Sequence, residues 1–172
     1  MAVEHEDFAL VRATADDEVK LGHLLELYAH DLSDVFNLEL SETGRFGYDK
    51  LKLYFTEPTR HAFLVRHRGH LAGFALATRG SPASEEPDVY DVAEFFIVRA
   101  HRKSGLGRQV AFRLFDALAG RWFVRVSSDN AGALKFWARI IGEYAHGAHL
   151  ASTRPGRLSP WAVYEFKSRT QP

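Results

Sequence analysis

Cysteine is absent from the 172-residue chain. Its absence excludes disulfides, thiolate-bound zinc and a cysteine nucleophile. A surplus of either charge is missing too, with 22 Lys and Arg against 22 Asp and Glu. Duplex-binding proteins normally carry a basic excess, so nucleic acid is not an expected partner. No run approaches the ~18 apolar residues that cross a bilayer, so no membrane span is expected. The opening residues, MAVEHEDFALVR, are acidic and lack the apolar centre of a secretory signal; a cytoplasmic protein is the expectation. Internal repeats and low-complexity tracts are also lacking. What remains is globular: 46% hydrophobic, 26% charged, and 13 Phe among the aromatics. Read as one domain over residues 1–172, such a chain buries about two-thirds of its unfolded surface without a staple.

Thr14 followed by Asp16, Asp17 and Glu18 marks a helix start after a short strand at 8–13. Val19, Leu21, Leu24, Leu25 and Tyr28 recur at helical spacing, so this helix is expected to run to about Leu32. Residues 33–47 mix apolar and polar types irregularly. Tyr48, Leu51, Leu53, Tyr54 and Phe55 predict a short second helix, stopped by Pro58. Two apolar runs, 62–66 and 71–78, flank a turn at Arg68-Gly69-His70 and read as a hairpin. A strand is expected at 89–98, a helix at 108–119 ended by Gly120, and a strand at 122–127. A helix at 131–141 closed by Gly142 and strands at 144–151 and 161–166 complete the order. The strand–helix–strand unit in the middle requires a parallel pair, so the sheet is mixed and helices cover it.

The most informative stretch is EFFIVRAHRKSGLG, residues 94–107. A strand runs into a basic turn, then two glycines one residue apart, then a helix. Glycines let backbone N–H groups approach a ligand, and the helix start adds the positive end of its dipole. Arg99, His101, Arg102, Lys103 and Arg108 lie within ten positions, which implies a polyanionic ligand such as a pyrophosphate. A triphosphate loop would need Gly-x4-Gly-Lys-Ser/Thr, and none occurs. A dinucleotide fingerprint would need a third glycine where Val110 stands.

Arg102-Lys-Ser-Gly105-Leu-Gly107 fits another pattern, Arg/Gln-x-x-Gly-x-Gly/Ala after an apolar strand. This resembles the acetyl-CoA site of the GNAT acetyltransferase superfamily. Ile97 stands where the family usually has Val, five residues before Arg102. Asn130, Ala133, Phe136 and Trp137 resemble its Asn-x-x-Ala-x-x-Phe-Tyr run, and Gly142-Glu143-Tyr144 its Gly-Phe exit. The likeness is specific over residues 89–144 and topological elsewhere. It implies an α/β fold: a mixed sheet of six to seven strands, about four helices, and a V-shaped splay between the fourth and fifth strands. It implies acetyl-CoA as cofactor, its pantetheine pairing along Ile97 and Val98. The pyrophosphate would lie on the turn of Arg102, Lys103, Ser104, Gly105, Leu106, Gly107 and Arg108. Asn130, Ala133, Phe136 and Trp137 would line the far side.

An amine attacks a thioester directly, so no protein nucleophile is required, only a base for the amine proton. Glu94, a carboxylate inside a Phe-rich strand where many family members are acidic, is the candidate, and desolvation would raise its pKa. The alternative for Glu94 is a half-exposed ion pair. Trp137 replaces the tyrosine that many members use as general acid; Tyr144, Tyr164 or water would take that role. By analogy the first half forms the acceptor wall, with Tyr28, Asp31, Tyr48 and Tyr54 as substrate-binding candidates. Small-molecule amines, polyamines, protein N-termini and lysines all stay open as acceptors.

His67-x-x-His70 and His146-x-x-His149 lack an evident third ligand, so no metal is expected. The edge formed by the last strands makes a homodimer an expectation. The resemblance implies transfer of an acetyl group to a primary amine through a ternary complex. A non-catalytic acyl-CoA sensor on the same fold is the alternative.

Overall fold

Apolar residues on both faces of successive strands require cover on both sides, and the chain supplies it with helices before and after them. The computed structural model describes residues 7–169, so the first six residues of the acidic opening lie outside them. Seven strands form one sheet in the order β1-β2-β3-β4-β5-β7-β6. They are β1 (Phe8–Arg12), β2 (Arg60–His67), β3 (His70–Arg79), β4 (Val89–Ile97), β5 (Arg121–Ser127), β6 (Leu150–Arg154) and β7 (Trp161–Lys167). The helices are α1 (Glu18–Phe36), α2 (Leu53–Thr56), α3 (Leu106–Ala117) and α4 (Ala131–Tyr144).

Alternation along the hairpin sorts side chains between the faces. Ala62, Leu64, Phe74 and Leu76 join Leu21, Leu24 and Leu25 of α1 in one core. Phe63, Ala75 and Ala77 join Leu114, Phe115, Trp137 and Ile140 of α3 and α4 in the other. The hairpin turn has positive φ at both Arg68 (52°) and Gly69 (80°), the twist that suits a two-residue connection.

Several element ends differ from expectation. Helix α1 continues to Phe36 and is stopped by Asn37 in the left-handed region. The second helix shrinks to a single turn, with Glu57 extended before Pro58. Gly142 does not end α4, which runs on to Tyr144. Burial of Tyr144 against Phe112, Phe115 and Phe166 outweighs the glycine, and His146-Gly147, both at positive φ, turn the chain instead. The expected strand at 144–151 therefore starts only at Leu150.

The β4–β5 pair is the only parallel one among the described strands, and its ladder holds three rungs, ending at Asp91↔Phe123. Beyond it the strands part. On its other side β4 stays paired with β3 as far as Gly73↔Ile97, with one register shift: Leu76 faces Glu94 while Ala77 faces Val92. Ala93 is thus an extra residue, a β-bulge. Gly73 is needed for this close pairing, since an added Cβ would sit 2.0 Å from the Phe96 carbonyl oxygen. Gly73→Val is expected to cost about 3 kcal/mol, read as a lower urea midpoint; an unchanged midpoint would show that β3 and β4 tolerate separation there.

Candidate active site

The gap between β4 and β5 opens into a cleft of about 1030 Å³. Its walls come from α1, the loop after it, β4, the turn into α3, β5, α4 and the loop between β6 and β7. Tyr28, Asp31, Tyr48, Glu94, Ile97, Arg102, Lys103, Gly105, Gly107, Arg108, Asn130, Ala133, Phe136 and Trp137 all line it. Residues more than a hundred positions apart in sequence thus meet around one space.

Glu94 occupies the α1 side of that space. Without the Ala93 bulge, strict alternation would put Glu94 on the face of Val92, toward α3 and α4. The extra residue resets the phase. Phe95 packs on Phe136 and Trp137 (5.8 and 5.1 Å between ring centres), and Glu94 turns to α1. There Tyr28 donates to one carboxylate oxygen at 2.7 Å and Tyr48 to the other at 3.2 Å. Desolvation raises the Glu94 pKa, against the opposing hydrogen bonds of the two phenols and the charge of Arg125. The same burial, together with the negative Glu94, pushes both phenols far above their ordinary value, so each stays a donor. Each carboxylate oxygen keeps a lone pair for a further partner.

Tyr48 lies in a loop without regular structure, so something must hold it. Glu26 of α1 does: its carboxylate accepts from the N–H groups of Phe46 (2.8 Å) and Gly47 (2.9 Å). Burial opposes this charge, but the two N–H groups and Arg45 outweigh it and hold the carboxyl below its usual range. The irregular sequence at 33–47 gave no sign of this clamp.

At the other end of the cleft, the turn into α3 leaves backbone donors open. Gly105 precedes the helix at φ +84°, with no side-chain cap. The first helical bond in this turn is Gln109 N–H to Gly105 C=O, so the N–H groups of Leu106, Gly107 and Arg108 have no acceptor in the preceding turn. Gly107 serves packing as well, since an added Cβ would stand 3.2 Å from the Phe136 ring. These open donors and the helix dipole make an anion cradle.

The basic side chains are disposed differently from the expectation of a positive cluster facing the ligand. Asp31 accepts from Arg99 (2.8 Å) and from Arg102. Arg102 also donates its Nε to the Ile97 carbonyl at 2.6 Å and lies over the Phe96 ring. Arg108 pairs with Glu143 at 2.6 Å. Burial opposes the Asp31 charge, yet Arg102 and Arg99 together keep its pKa low. Asp31 is thus tied to two guanidiniums. Lys103 is the basic group of the turn that lines the cleft with no ion-pair partner among the described residues.

Five expected site residues sit away from the cleft walls. The Val98 N–H donates to Ala72 C=O at 2.8 Å, so that amide is committed to β3. Alternation then leaves the N–H groups of Phe95 and Ile97 on the open edge of β4. Leu106 is buried with Val65, Ala72 and Val110. Ser104 donates its hydroxyl to the His101 carbonyl. Tyr54 is buried in the core under α1. Tyr144, expected as a catalytic residue, is fully buried at the C-terminal end of α4, outside the cleft lining: its hydroxyl donates to Asp116 at 2.5 Å and accepts from Arg169 N–H. Tyr164 lies outside the cleft lining as well.

One functional feature was missed. Asp91 is fully buried, Arg125 grips it with two 2.7 Å bonds, and Ser81 donates to it at 2.5 Å. Arg125 lies under the Trp161 ring and lines the cleft. This pair pins β4 to β5 at the point where the ladder ends. The signal was one acidic residue in an apolar strand and one basic residue in its parallel neighbour. His67 and His101 bring their Nδ1 atoms to 3.0 Å, and no cluster of three metal-binding side chains occurs among the described residues. No described helix is long and apolar enough to cross a membrane.

Comparison with known proteins adds to this geometry. Residues 23–142 match the model of the Acetyltransferase (GNAT) family. No curated protein matches the sequence. An acetyltransferase from Thermus thermophilus superposes at a TM-score of 0.66 and 20% identity, over 93% of this chain and 96% of that one. The aminoglycoside acetyltransferase AAC(6')-Ib in complex with coenzyme A gives 0.67 at 12% identity, covering 93% and 94%. Spermidine N-acetyltransferase from Vibrio cholerae, in complex with CoA and spermine, gives 0.65 at 12% identity, covering 95% and 97%. At such identities the match is one of fold.

Proposed function

The chain belongs to the GNAT acetyltransferase family, and on that premise we propose that it transfers the acetyl group of acetyl-CoA to a primary amine within a ternary complex. The observation that carries this reading is Glu94. A desolvated carboxylate, oriented by two phenols, stands in a cleft beside an unpaired strand edge.

The residues present fit the cofactor. The open edge of β4 offers the N–H groups of Phe95 and Ile97 to an extended arm. The uncapped start of α3, with Lys103 beside it, suits a pyrophosphate. Gly107 and Ala133 leave room between the helices, and Phe136 and Trp137 supply an apolar wall. Solved relatives in fold that hold coenzyme A support the same assignment. Bound acetyl-CoA would supply a thioester whose carbonyl carbon takes the amine nitrogen while its C–S bond breaks. Glu94 accepts the proton that the amine gives up, directly or through water. The N–H groups of Phe95 and Ile97 stand ready to donate to a carbonyl oxygen beside β4. Tyr28 and Tyr48 hold the carboxylate in place rather than give up protons. Tyr144 and Tyr164 are away from the cleft, so neither would protonate a leaving thiolate, and with a thiol pKa of about 8.5 such a group would need no strong acid from the chain.

Calorimetric titration with acetyl-CoA, with NAD and ATP as controls, tests the cofactor. Acetyl-CoA is expected to bind most tightly, and Lys103→Glu to weaken it about tenfold. No binding by folded protein would sink the proposal. Binding without turnover on any amine would move the reading to a sensor.

A further inference from the structure

The acceptor half of the cleft has a charge pattern that selects among amines. Three carboxylates line the whole cleft: Asp31, Glu39 and Glu94. Asp31 is already matched by Arg99 and Arg102. Glu94 is held by two phenols and makes no ion pair, and Glu39 is exposed, also without an ion-pair partner among the described residues. Of the cations lining the cleft, Arg102, Arg108 and Arg125 are matched by Asp31, Glu143 and Asp91, while Lys103, Arg139 and the exposed Arg157 have no ion-pair partner among the described residues. One half-buried anion therefore stands within this half, and the exposed Glu39 and Arg157 offset one another in charge.

The rest of that half is apolar. Leu32 and Val35 continue the Tyr28 stripe of α1 at spacings of four and seven, and Phe36 and Phe46 extend it. At the mouth, Leu38 is 38% exposed and Leu158 is 78% exposed, each on a loop at the cleft rim. Apolar side chains held in water at a cleft rim are stabilised by an apolar occupant that covers them.

We infer that the acceptor is a primary monoamine with an apolar alkyl or aryl body, not a polyamine. This rests on the acetyltransferase reading above. One ammonium group meets one half-buried carboxylate and two phenols, and an apolar body covers the leucines. A polyamine would bring further charges to a wall of Leu32, Val35 and Leu38, where the one further carboxylate, Glu39, is exposed to solvent and offset by the positive Arg157. Desolvating an ammonium group with no counter-charge is costly, so the extra charges of a polyamine become a penalty.

The test compares 2-phenylethylamine and hexylamine with spermidine and kanamycin, using the full chain and acetyl-CoA. The monoamines are expected to show kcat/KM at least about tenfold higher. Leu38→Asp combined with Leu158→Asp should narrow that ratio, because it puts two counter-charges where the cleft now has apolar side chains. Equilibrium binding of the same four amines to the CoA-loaded protein gives a readout independent of turnover and should show the same order. Spermidine or kanamycin equal to or better than the monoamines in either measurement overturns the inference. So does the absence of binding by all four. If coenzyme A itself fails to bind, the underlying reading falls; if it binds and the amine order is reversed, only the acceptor class falls.

Discussion

Glu94→Gln is expected to lower the acetyl-transfer rate about 100- to 1,000-fold, the range in which a positioned base contributes, while leaving acetyl-CoA affinity nearly unchanged. The substitution keeps the size of the side chain. The Gln carbonyl still accepts from one phenol, and its amide donates to the oxygen of the other. Fold and cofactor turn are therefore preserved, and the loss is confined to proton transfer. The pH profile gives a second readout. Burial raises the Glu94 pKa above its ordinary 4.5. The base form therefore appears only as pH rises through that higher value, and the acid limb of kcat/KM should lie above the usual carboxylate range. In the Gln variant that limb vanishes. The stability effect has the opposite sense. A carboxyl with a raised folded-state pKa contributes stability below its unfolded pKa and loses it as pH rises through the folded value. At pH 7 to 8 the Gln variant should thus unfold at or above the wild-type temperature. Full activity in Glu94→Gln would assign the base to another group.

Asp91→Ala is expected to be the most damaging single change to the fold. It leaves the largely buried Arg125 guanidinium, stacked on Trp161, without its paired carboxylate, with only the more weakly coupled Glu94 as counter-charge. Removing one partner of a buried pair costs about 3–5 kcal/mol. For a chain of this size that corresponds to a fall in melting temperature of about 6–20 °C. The pair sits where β4 and β5 stop pairing, so activity should fall with it, as the position of Glu94 depends on where the splay begins. The double variant Asp91→Leu, Arg125→Leu removes both charges and should recover much of the lost stability. A single variant as stable as wild type would mean that the vertex is held by strand pairing alone. A double variant no better than the single would mean that the pair does more than neutralise itself.

The architecture was largely legible in the sequence because it follows from periodicity and turn chemistry. The Arg68-Gly69 turn, the Thr14 start of the first helical segment and the glycines at 105 and 107 each act through their immediate neighbours. Gly142 was misread as a helix end because burial of Tyr144, which depends on α3 and β7, outweighs a local preference.

Which residue types meet in the cleft was also readable, since Glu94, the 102–108 turn and the run from Asn130 to Trp137 carry their motif in linear order. Which way each side chain points was not. Val98 and Ile97 differ by one position, yet only the pairing of β3 with β4 decides that the Val98 amide is committed and the Ile97 amide open. The arginines looked alike as a cluster, and distant carboxylates on α1 and α4 decide that Arg99, Arg102 and Arg108 are already paired. A single bulged residue, Ala93, decides that Glu94 faces the tyrosines rather than the core. Local chemistry is written within a few residues of itself, so the chain alone determines the elements and the reactive groups. The face on which a group emerges depends on strand register and on charges tens of residues away, which the tertiary structure alone brings together.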